Sequence, residues 1–251
     1  MKTAIITGAA KGIGKSAAFK FAKDGYYTAL IDIDEEVKNV SNNINKMDNN
    51  TTSYPFVADI SQSNQVKDTI ELIADKFDNR LDVLVNNAGI VPVNNNKNLL
   101  NLIDSISDSE LDKIFKTNIY SMFYLSREVV PIMKKNNYGI IINIGSVATV
   151  GLPVNSHYSA SKSAVDGFTR SAARELSEFN IRVFCIAPGL VDTSLIAPMT
   201  EEEKKSFVNM QLVKELIPAW EIANLIMYLA NPDAKSLTGQ ILHVNAGTFL
   251  R

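Results

Sequence analysis

Short apolar runs alternate along the chain with longer stretches in which apolar residues recur at helical intervals. The short runs are rich in β-branched residues and nearly continuous in apolar character, which is typical of strands covered on both faces. In residues 12–24, Ile13, Ala17 and Phe21 fall on one helical face, and Gly25 follows as a stop signal. The pattern predicts strands at 3–6, 28–31, 54–58, 83–85, 140–144, 182–187 and 240–244, and helices at 12–24, 34–46, 64–77, 109–136, 158–179, 201–213 and 219–230.

Predicted strands and helices alternate over the whole length of the chain. This alternation builds a mostly parallel sheet with helices on both faces, the α/β class. Because strand–helix–strand crossovers are right-handed, we expect the sheet to be doubly wound. The sequence shows no linker and no internal repeat beyond this rhythm, which predicts one domain over residues 1–251.

Composition and charge argue against several classes of protein. The 251 residues are 46% hydrophobic and 21% charged, which is ordinary for a globular protein. A net charge of −2 argues against a nucleic-acid or anionic-membrane surface built from bulk charge. Cys185 has no partner for a disulfide, and with two histidines in the chain no metal site is expected. No apolar run is long enough for a spanning helix or a signal peptide, so we expect a cytoplasmic protein.

A glycine-rich loop joins the first predicted strand to the first predicted helix, where residues 7–14 read TGAAKGIG. Gly8 permits a turn with positive φ, Gly12 permits close approach of the backbone to a pyrophosphate, and Gly14 permits close packing of the helix. The start of the helix then offers unpaired N–H groups to phosphates. The spacing differs from the common dinucleotide fingerprint, so the loop alone does not establish a nucleotide site.

The second predicted strand ends in an acid. Asp32 follows Gly14 by 18 residues, where a carboxylate would meet the hydroxyls of an adenosine ribose. The same carboxylate would repel the 2′-phosphate of NADP, which predicts a preference for NAD(H). Lys11 in the glycine loop is the opposing feature, because a basic residue there can contact that phosphate. It counts for less, since a lysine can swing into solvent while Asp32 is fixed at a strand end.

Four more segments stand where predicted strands end. Each alone is also ordinary turn chemistry. Ligands of doubly wound sheets bind outside the carboxyl ends of the strands, so the shared position of these segments favours a binding site along one edge. The segments are Ala58-Asp59-Ile60, Asn86-Asn87-Ala88-Gly89, Gly145-Ser146 and Pro188-Gly189-Leu190-Val191-Asp192-Thr193.

A tyrosine and a lysine share one face of the predicted helix at 158–179. Tyr158 and Lys162 stand at positions i and i+4. A phenol with a pKa of about 10 is a poor base at neutral pH, and a neighbouring ammonium would lower that pKa. The pair would then act as a general acid–base group, with Ser146 donating a hydrogen bond to a substrate oxygen. Taken alone, such a pair more often marks a solvated helix face.

Together these residues resemble the motifs of the short-chain dehydrogenase/reductase family. The glycine loop, Asn86-Asn87-Ala88-Gly89, Ser146, Tyr158 with Lys162, and Pro188-Gly189 occur in the family's order. The resemblance covers essentially the whole chain. It implies a Rossmann-type sheet of seven strands, a bound NAD(H) or NADP(H), and interconversion of an alcohol and a carbonyl compound.

The resemblance also implies roles for single residues. Tyr158 is then the acid–base group, Lys162 binds the nicotinamide ribose and lowers the pKa of the tyrosine, and Ser146 polarises the substrate carbonyl. Asn118 matches the family's asparagine that positions Lys162 and a proton-relay water. The implied cofactor contacts are Asp59 for the adenine, Asn86 for a ribose, Val191 and Thr193 for the carboxamide and phosphate region, and also Ile13, Ile60, Ala88, Gly89, Pro188 and Gly189.

Two departures from the family pattern concern the substrate side. Ser146 and Tyr158 are 12 residues apart, one fewer than is common in the family, and residues 147–157 are a predicted loop that tolerates the deletion. Residues 238–247 resemble the ending of bacterial 3-oxoacyl-carrier-protein reductases but have Ala246 where that subgroup usually has glycine. The shorter spacing bears on the shape of the substrate pocket rather than on the identity of the serine.

The expected function is an NAD(H)-dependent oxidoreductase that interconverts a secondary alcohol and a ketone, with 3-oxoacyl-carrier-protein reductase as an alternative. A catalytically silent dinucleotide-binding protein on the same fold is a rival class, since fold does not fix function. The complete set of catalytic residues argues against it. An epimerase or dehydratase relative that uses NAD without net turnover is a second rival, but such chains are usually longer.

Some expectations concern residues outside the motifs. Segment 192–213 is apolar, which predicts a mobile lid over a partly apolar substrate or, equally, side chains that pack the lid down. His157 is expected to be a wall or surface residue, and Cys185 a small core hydrophobe. The Asn-rich stretches 39–50 and 94–101 are predicted to be a solvated helix end and a loop, the second with the option of bordering a substrate cleft.

The helix that begins near Tyr158 carries a stripe of small residues that allows close approach of another helix. Together with the family resemblance, this stripe predicts a homo-oligomer, most simply a homotetramer with paired long helices. Packing inside the monomer is the alternative that the sequence leaves open. The stripe consists of Ala160, Ala164, Gly167 and Ser171.

Overall fold

All seven predicted strands form and lie in one parallel sheet. The computed structural model describes residues 2–47, 51–92, 102–151 and 154–250. The strands are Lys2–Thr7 (β1), Tyr26–Asp32 (β2), Ser53–Val57 (β3), Val83–Asn86 (β4), Gly139–Ile144 (β5), Ile181–Pro188 (β6), Val191–Asp192 (β7), Ile217–Pro218 (β8) and Ile241–Val244 (β9). The sheet order is β3-β2-β1-β4-β5-β6-β9, while β7 and β8 pair as a separate two-stranded ribbon. This is the doubly wound, Rossmann-type sheet that the sequence predicts.

The predicted helices form as well, with small differences at their ends. They are Gly12–Lys23 (α1), Glu36–Asn45 (α2), Ser63–Lys76 (α3), Asp108–Phe115 (α4), Ser121–Lys135 (α5), Ser156–Leu176 (α6), Glu201–Met210 (α7) and Ala219–Leu229 (α8). The prediction of a helix over 201–213 is too long, because the backbone at Gln211 is extended with ψ of 155°. The helix begins with a capping box in which Thr200 and Glu203 satisfy each other's backbone N–H groups.

The predicted helix over 109–136 is divided by a π-helical turn. This turn spans Lys116–Tyr120 and lies directly between α4 and α5 in the chain. Within it, Asn118 and Ile119 are buried. A π turn holds one residue more per turn than an α-helix, so hydrophobic periodicity over a long helix does not reveal it.

Two apolar layers cover the sheet, one on each face. On one face α1, α2 and α8 pack on the strands, with Phe21, Val40 and Ile226 fully buried. On the other face α3, α5 and α6 do the same, with Ile73 and Val129 fully buried. Because both faces are covered, the strands contain little polar surface, and the polar residues collect at their carboxyl ends.

The strand order reverses between β1 and β4, and Thr7 fixes the two strand ends there. Its hydroxyl donates to the carbonyl of Val85 at 3.2 Å and accepts the backbone N–H groups of Asn87 and Ala88, each at 3.0 Å. The hydroxyl therefore has no bonding capacity left for water. The point of reversal is where doubly wound sheets bind ligands.

The segment after β6 is tied down at its base and at its far end. The ribbon of β7 and β8 closes its base, and the N–H groups of Leu212 and Val213 donate to the carbonyl of Ala246 at 2.8 and 3.0 Å. Ala246 itself has a φ of +52°, the left-handed conformation in which glycine is less strained. Among the described residues no helix combines the length and the apolar character that a membrane crossing requires.

Candidate active site

The glycine loop forms a cradle at the carboxyl end of β1. Gly8 and Gly12 have φ values of +64° and +58°, and the N–H of Gly8 donates to the carbonyl of Ile31 at 2.9 Å. A Cβ placed on Gly12 would lie 3.1 Å from the methyl group of Thr193, and one on Gly14 would lie 2.2 Å from the carbonyl oxygen of Gly8. A side chain at Gly12 would fill the cradle, and one at Gly14 would clash with the turn at Gly8. The loop is therefore shaped for a ligand that needs close backbone approach, such as a pyrophosphate. This geometry fits the dinucleotide that the sequence predicts.

Asp32 lies beside this cradle at the end of β2. Its carboxylate accepts the backbone N–H of Ala10 at 2.9 Å and that of Asp34 at 2.9 Å. One oxygen thus holds the glycine loop and the other holds the turn that leads into α2. The carboxylate keeps a fixed position while each oxygen retains a lone pair for a ribose hydroxyl.

The ends of β3 and β4 supply the next part of the edge. Asp59 accepts the N–H of Ser61 at 2.9 Å, and Ile60 beside it is buried. Asn86 is buried, and its side-chain Nδ2 donates to Oδ1 of Asn143 at 2.9 Å. The side-chain Oδ1 of Asn86 has no hydrogen-bond partner within the described residues. An acceptor in that state is suited to a hydroxyl donor from a ligand.

Gly89 brings the end of β4 into contact with the predicted catalytic side chains. A Cβ at this position would lie 3.2 Å from Oδ1 of Asn118 and 3.4 Å from Nζ of Lys162. The backbone at Gly89 therefore passes directly over both groups. The predicted cofactor edge and the predicted catalytic group are thus parts of one site.

Asn118 connects the segment after β4 to α6. Its Oδ1 accepts the N–H of Ile90 at 2.8 Å, and its Nδ2 donates to the carbonyl of Ile90 at 3.0 Å and to Oγ of Ser161 at 3.1 Å. Ser161 is fully buried and donates in turn to the carbonyl of Tyr158 at 2.8 Å. The amide of Asn118 is thereby held from three directions.

The sequence interpretation missed Ser161. A signal was present, because Ser161 stands between Tyr158 and Lys162 on the apolar side of α6, and a buried serine there needs a partner. The prediction that Asn118 lies next to Lys162 is consistent with the geometry at Gly89.

Tyr158, Ser146 and Lys162 meet where β5 ends and α6 begins. The side chain of Ser146 lies close enough to the phenol of Tyr158 to act on its pKa, so the shorter spacing along the chain does not separate the two residues. Nζ of Lys162 donates to the carbonyl of Ile144 at 2.9 Å and lies 5.9 Å from the centre of the Tyr158 ring. Ser146 also accepts the N–H of Ala148 at 3.1 Å, which fixes its rotamer.

Burial is the largest influence on the pKa values of Tyr158 and Lys162. It raises the pKa of Tyr158, and the hydrogen bond from Ser146 opposes that rise. Burial lowers the pKa of Lys162 to about 8. The sequence predicts a lowered pKa for Tyr158, whereas in the structure this pKa is raised. The cost of burying a phenolate exceeds the stabilisation of the phenolate by Ser146.

The last part of the edge comes from the segment after β6. The N–H of Gly189, which follows Pro188, donates to the carbonyl of Val244 at 2.8 Å, and Val191 is buried in β7. Thr193 faces Gly12 across the cradle, as noted above for its methyl group. The structure therefore brings the predicted site residues of these segments to the carboxyl edge of the sheet, with Lys11 at its margin, while Ile13 packs against the core.

Two residues near the site are buried beside acidic side chains. His157, predicted to be a wall or surface residue, is buried, and its Nε2 lies 3.5 Å from Oε1 of Glu110 on α4. Cys185 is buried as predicted, but its thiol also lies 3.7 Å from Oδ1 of Asp166, and burial raises its pKa to about 12.

Within the described residues no group of three His, Cys, Asp or Glu side chains is arranged to hold a metal. Residues 94–101, the second Asn-rich stretch, lie outside the described residues.

The chain shares this fold with known oxidoreductases. A family model described as enoyl-(acyl carrier protein) reductase matches residues 8–248. The chain belongs to the short-chain dehydrogenase/reductase family, a family of oxidoreductases. The 3-oxoacyl-[acyl-carrier-protein] reductase FabG of Staphylococcus aureus strain Mu50 is 33% identical over 252 residues, which cover 99% of this chain and 98% of that protein.

Solved structures show the same likeness with either nicotinamide cofactor. A 7α-hydroxysteroid dehydrogenase complexed with NADH and 7-oxo glycochenodeoxycholic acid is 32% identical with a TM-score of 0.90, over 98% of this chain and 93% of that one. ElxO with NADP bound is 29% identical with a TM-score of 0.88, over 98% of both chains. These relatives support a nicotinamide dinucleotide as cofactor and leave the choice between NAD and NADP to be argued from this chain.

The lowered pKa of Lys162 predicts a specific dependence of stability on pH. The unfolded chain binds the lysine proton up to about pH 10.5, while the folded chain loses it near pH 8, so the unfolded state holds more protons between these values. The free energy of unfolding contributed by this group therefore rises with pH in that window, by at most ~1.4 kcal/mol per pH unit. Denaturant titrations at several pH values will show a shallower slope in Lys162→Met than in the parent. The exposed Lys20 is the control: Lys20→Met should keep the parent slope, and equal slopes in all three proteins would contradict the assignment.

Proposed function

We propose that the protein is an NAD(H)-dependent oxidoreductase that interconverts a secondary alcohol and a ketone. The observation that carries this proposal is the convergence of Tyr158, Ser146 and Lys162 at the edge that holds the glycine cradle, with Nζ of Lys162 5.9 Å from the centre of the phenol ring. When bound, the dinucleotide supplies or accepts the hydride. The chain's own residues then have to orient the substrate oxygen and move one proton.

Tyr158 is the proposed proton donor and acceptor. During reduction its O–H donates to the developing alkoxide, and during oxidation its phenolate takes the alcohol proton. Ser146 holds the same substrate oxygen by a second hydrogen bond, since its hydroxyl lies within bonding distance of the tyrosine. Lys162 favours the phenolate, and a ribose hydroxyl is a suitable further partner for its ammonium. Asn118 and Ser161 keep the start of α6 in place for these steps.

The site argues against the two rival classes. A silent dinucleotide-binding protein has no use for a buried lysine with a pKa lowered to about 8 beside a tyrosine, since burying both groups costs stability. An epimerase or dehydratase is expected to have a longer chain. This chain instead matches the S. aureus reductase over 99% of its own length and 98% of that protein's, which argues against this rival class.

The substrate class is a carbonyl compound with an apolar part. In the segment after β6, Ile196 and Met199 are buried and hold the segment down, while Leu195 and Met210 are exposed. Leu195 and Met210 are therefore available to cover a substrate. The two predictions for this apolar segment, a lid over the substrate and side chains that pack the lid down, thus apply to different side chains. We favour a ketone attached to an extended apolar chain or ring.

A 3-oxoacyl-[acyl-carrier-protein] reductase is the second candidate function. It is favoured by the name of the S. aureus relative, which matches almost the entire chain. An assay of acetoacetyl thioesters and of 7-oxo bile acids with NADH and with NADPH separates the two candidates. Turnover of the thioester alone would favour the reductase, and turnover of the ring ketone alone would favour a dehydrogenase of cyclic alcohols.

Preference for NAD(H) is proposed from the charges around Asp32. The carboxylate is held by the N–H groups of Ala10 and Asp34 and cannot turn away from the ribose. A 2′-phosphate placed beside it would be repelled, while ribose hydroxyls would donate to it. Asp34, Glu35 and Glu36 follow directly and add charge of the same sign.

A homotetramer is proposed from two exposed apolar faces. The small-residue stripe of α6 is exposed, with open space around Gly167, and Tyr120 and Phe123 next to it are 45% and 51% exposed. On α8, Trp220 and Tyr228 are 58% and 49% exposed. Two separate faces of this kind suit a tetramer with two different two-fold interfaces.

Tyr158→Phe should remove nearly all turnover while nucleotide binding persists. The substitution deletes the proton-transferring hydroxyl and keeps the ring, so the cradle is unaffected. Turnover number is measured by NADH absorbance at saturating substrate, and binding by NADH fluorescence. Activity within about tenfold of the parent would contradict the acid–base role.

Asp32→Ser should move the cofactor preference toward NADP(H). In the parent, kcat/KM is expected to favour NAD(H) by about ten- to hundredfold, since like-charge juxtaposition is expensive in a partly desolvated site. Serine still accepts a backbone N–H but carries no charge. If the parent already prefers NADP(H), or if the ratio is unchanged in the variant, Asp32 is not the discriminating residue.

Light scattering should give a mass of about four times the 27.6 kDa of one chain. Phe123→Asp places a charge in the proposed interface and should shift the protein to a smaller species. Leu72→Asp is a control, because Leu72 on α3 is 57% exposed and lies outside both faces. A parent that scatters as a single chain at micromolar concentration would rule the assembly out.

A further inference from the structure

Lys11 is not the freely moving lysine that the sequence suggests. Its Nζ lies 2.8 Å from Oδ2 of Asp34, and both side chains remain partly exposed. The contact raises the pKa of Lys11, chiefly through the hydrogen bond from its ammonium to Asp34, and lowers the pKa of Asp34. The only described basic side chain in the glycine loop is thus already matched with an acid.

Asp34 is held in the orientation that makes this contact. Its Oδ1 accepts the backbone N–H of Glu36 at 3.0 Å, where α2 begins, and its own N–H donates to Asp32 at 2.9 Å. Two bridges therefore join the glycine loop to the turn after β2: Ala10 N–H to Asp32, and the Lys11 ammonium to Asp34. Because backbone hydrogen bonds fix Asp34, its carboxylate holds the ammonium of Lys11 at the turn and does not move with the lysine side chain.

We propose that Asp34 is a second specificity-determining residue, which excludes NADP(H) by holding the ammonium of Lys11 away from a 2′-phosphate. The proposal rests on the proposed dinucleotide site. A 2′-phosphate would stand next to Asp32, where it needs a cation to offset the carboxylates. Lys11 is the cation of the glycine loop that could contact this phosphate, but its ammonium is paired with Asp34. The preference for NAD(H) then depends on the repulsion by Asp32 and on the pairing of Lys11.

The proposal predicts coupling between the two residues. Asp34→Asn removes the charge while its side-chain oxygen still accepts the N–H of Glu36, so the turn is preserved. Releasing Lys11 should improve NADPH binding relative to NADH by about fivefold, the upper range for one exposed ion pair. Lys11→Met alone should change the ratio by less than about twofold, since the lysine is not offered to the phosphate. In the Asp34→Asn background, Lys11→Met should abolish the gain.

Calorimetric titration of NADH and NADPH into the parent, both single variants and the double variant measures this coupling without any turnover. Adenosine 2′,5′-bisphosphate serves as a further probe that carries the 2′-phosphate without the nicotinamide. Glu35→Gln is the charge-matched control, because Glu35 stands in the same turn but pairs with Lys38 instead. It should leave the ratio within about twofold of the parent.

Four outcomes overturn the proposal. In the first, the gain from Asp34→Asn persists when Lys11 is methionine, which would mean that Asp34 acts by its own charge. In the second, Lys11→Met alone weakens NADPH binding about fivefold, which would mean that the lysine already contacts the phosphate. In the third, Asp34→Asn leaves the ratio of NADPH to NADH affinity unchanged. In the fourth, the parent binds NADPH more tightly than NADH, so that Asp34 does not exclude NADP(H). A parent that binds neither nucleotide refutes the proposed function itself.

Discussion

The whole site depends on the two strand ends that meet at the hydroxyl of Thr7. This hydroxyl donates one hydrogen bond and accepts two, which holds the end of β1 against the start of the segment after β4. The side chain of Asn87 adds a further bond to the carbonyl of Thr7 at 2.8 Å. The glycine cradle leaves β1 at this point and the segment to Gly89 leaves β4, so their separation sets the width of the binding crevice.

A second constraint is that several polar groups of the candidate active site are buried and need hydrogen-bond partners within the protein. Asn118, Ser161 and Lys162 have little contact with water, and each finds a partner in the backbone or in another side chain. Such a network rigidifies the site when it is fully satisfied. It holds the start of α6 to the segment after β4 and to β5, and Tyr158, the proposed proton donor, is held in place with it.

Charge is distributed unevenly along the binding edge. Acidic side chains gather at the adenosine end, around Asp32 and the start of α2, whereas Lys162 lies at the nicotinamide end of the proposed cofactor path. The acidic group is the one proposed to discriminate between the two cofactors, at the surface. Lys162 lies in a buried setting, where desolvation shifts its pKa far more than it does for the exposed Lys11–Asp34 pair. The proposed specificity and the proposed catalysis thus rely on electrostatic interactions at different degrees of burial.

Much of the fold was determined by the sequence alone, because strand and helix periods and the turn residues are local properties. The seven strands, the glycine loop and the placement of polar segments at strand ends follow from them. The hydrogen-bond partner of Asn118, the π turn that carries it, the burial of His157 against Glu110 and the pairing of Lys11 with Asp34 were decided only by the tertiary structure. Each of them joins residues from different elements or changes the register within one helix. Distances between such groups depend on how the elements pack, and the direction of a pKa shift depends on burial, so neither can be derived from spacing along the chain.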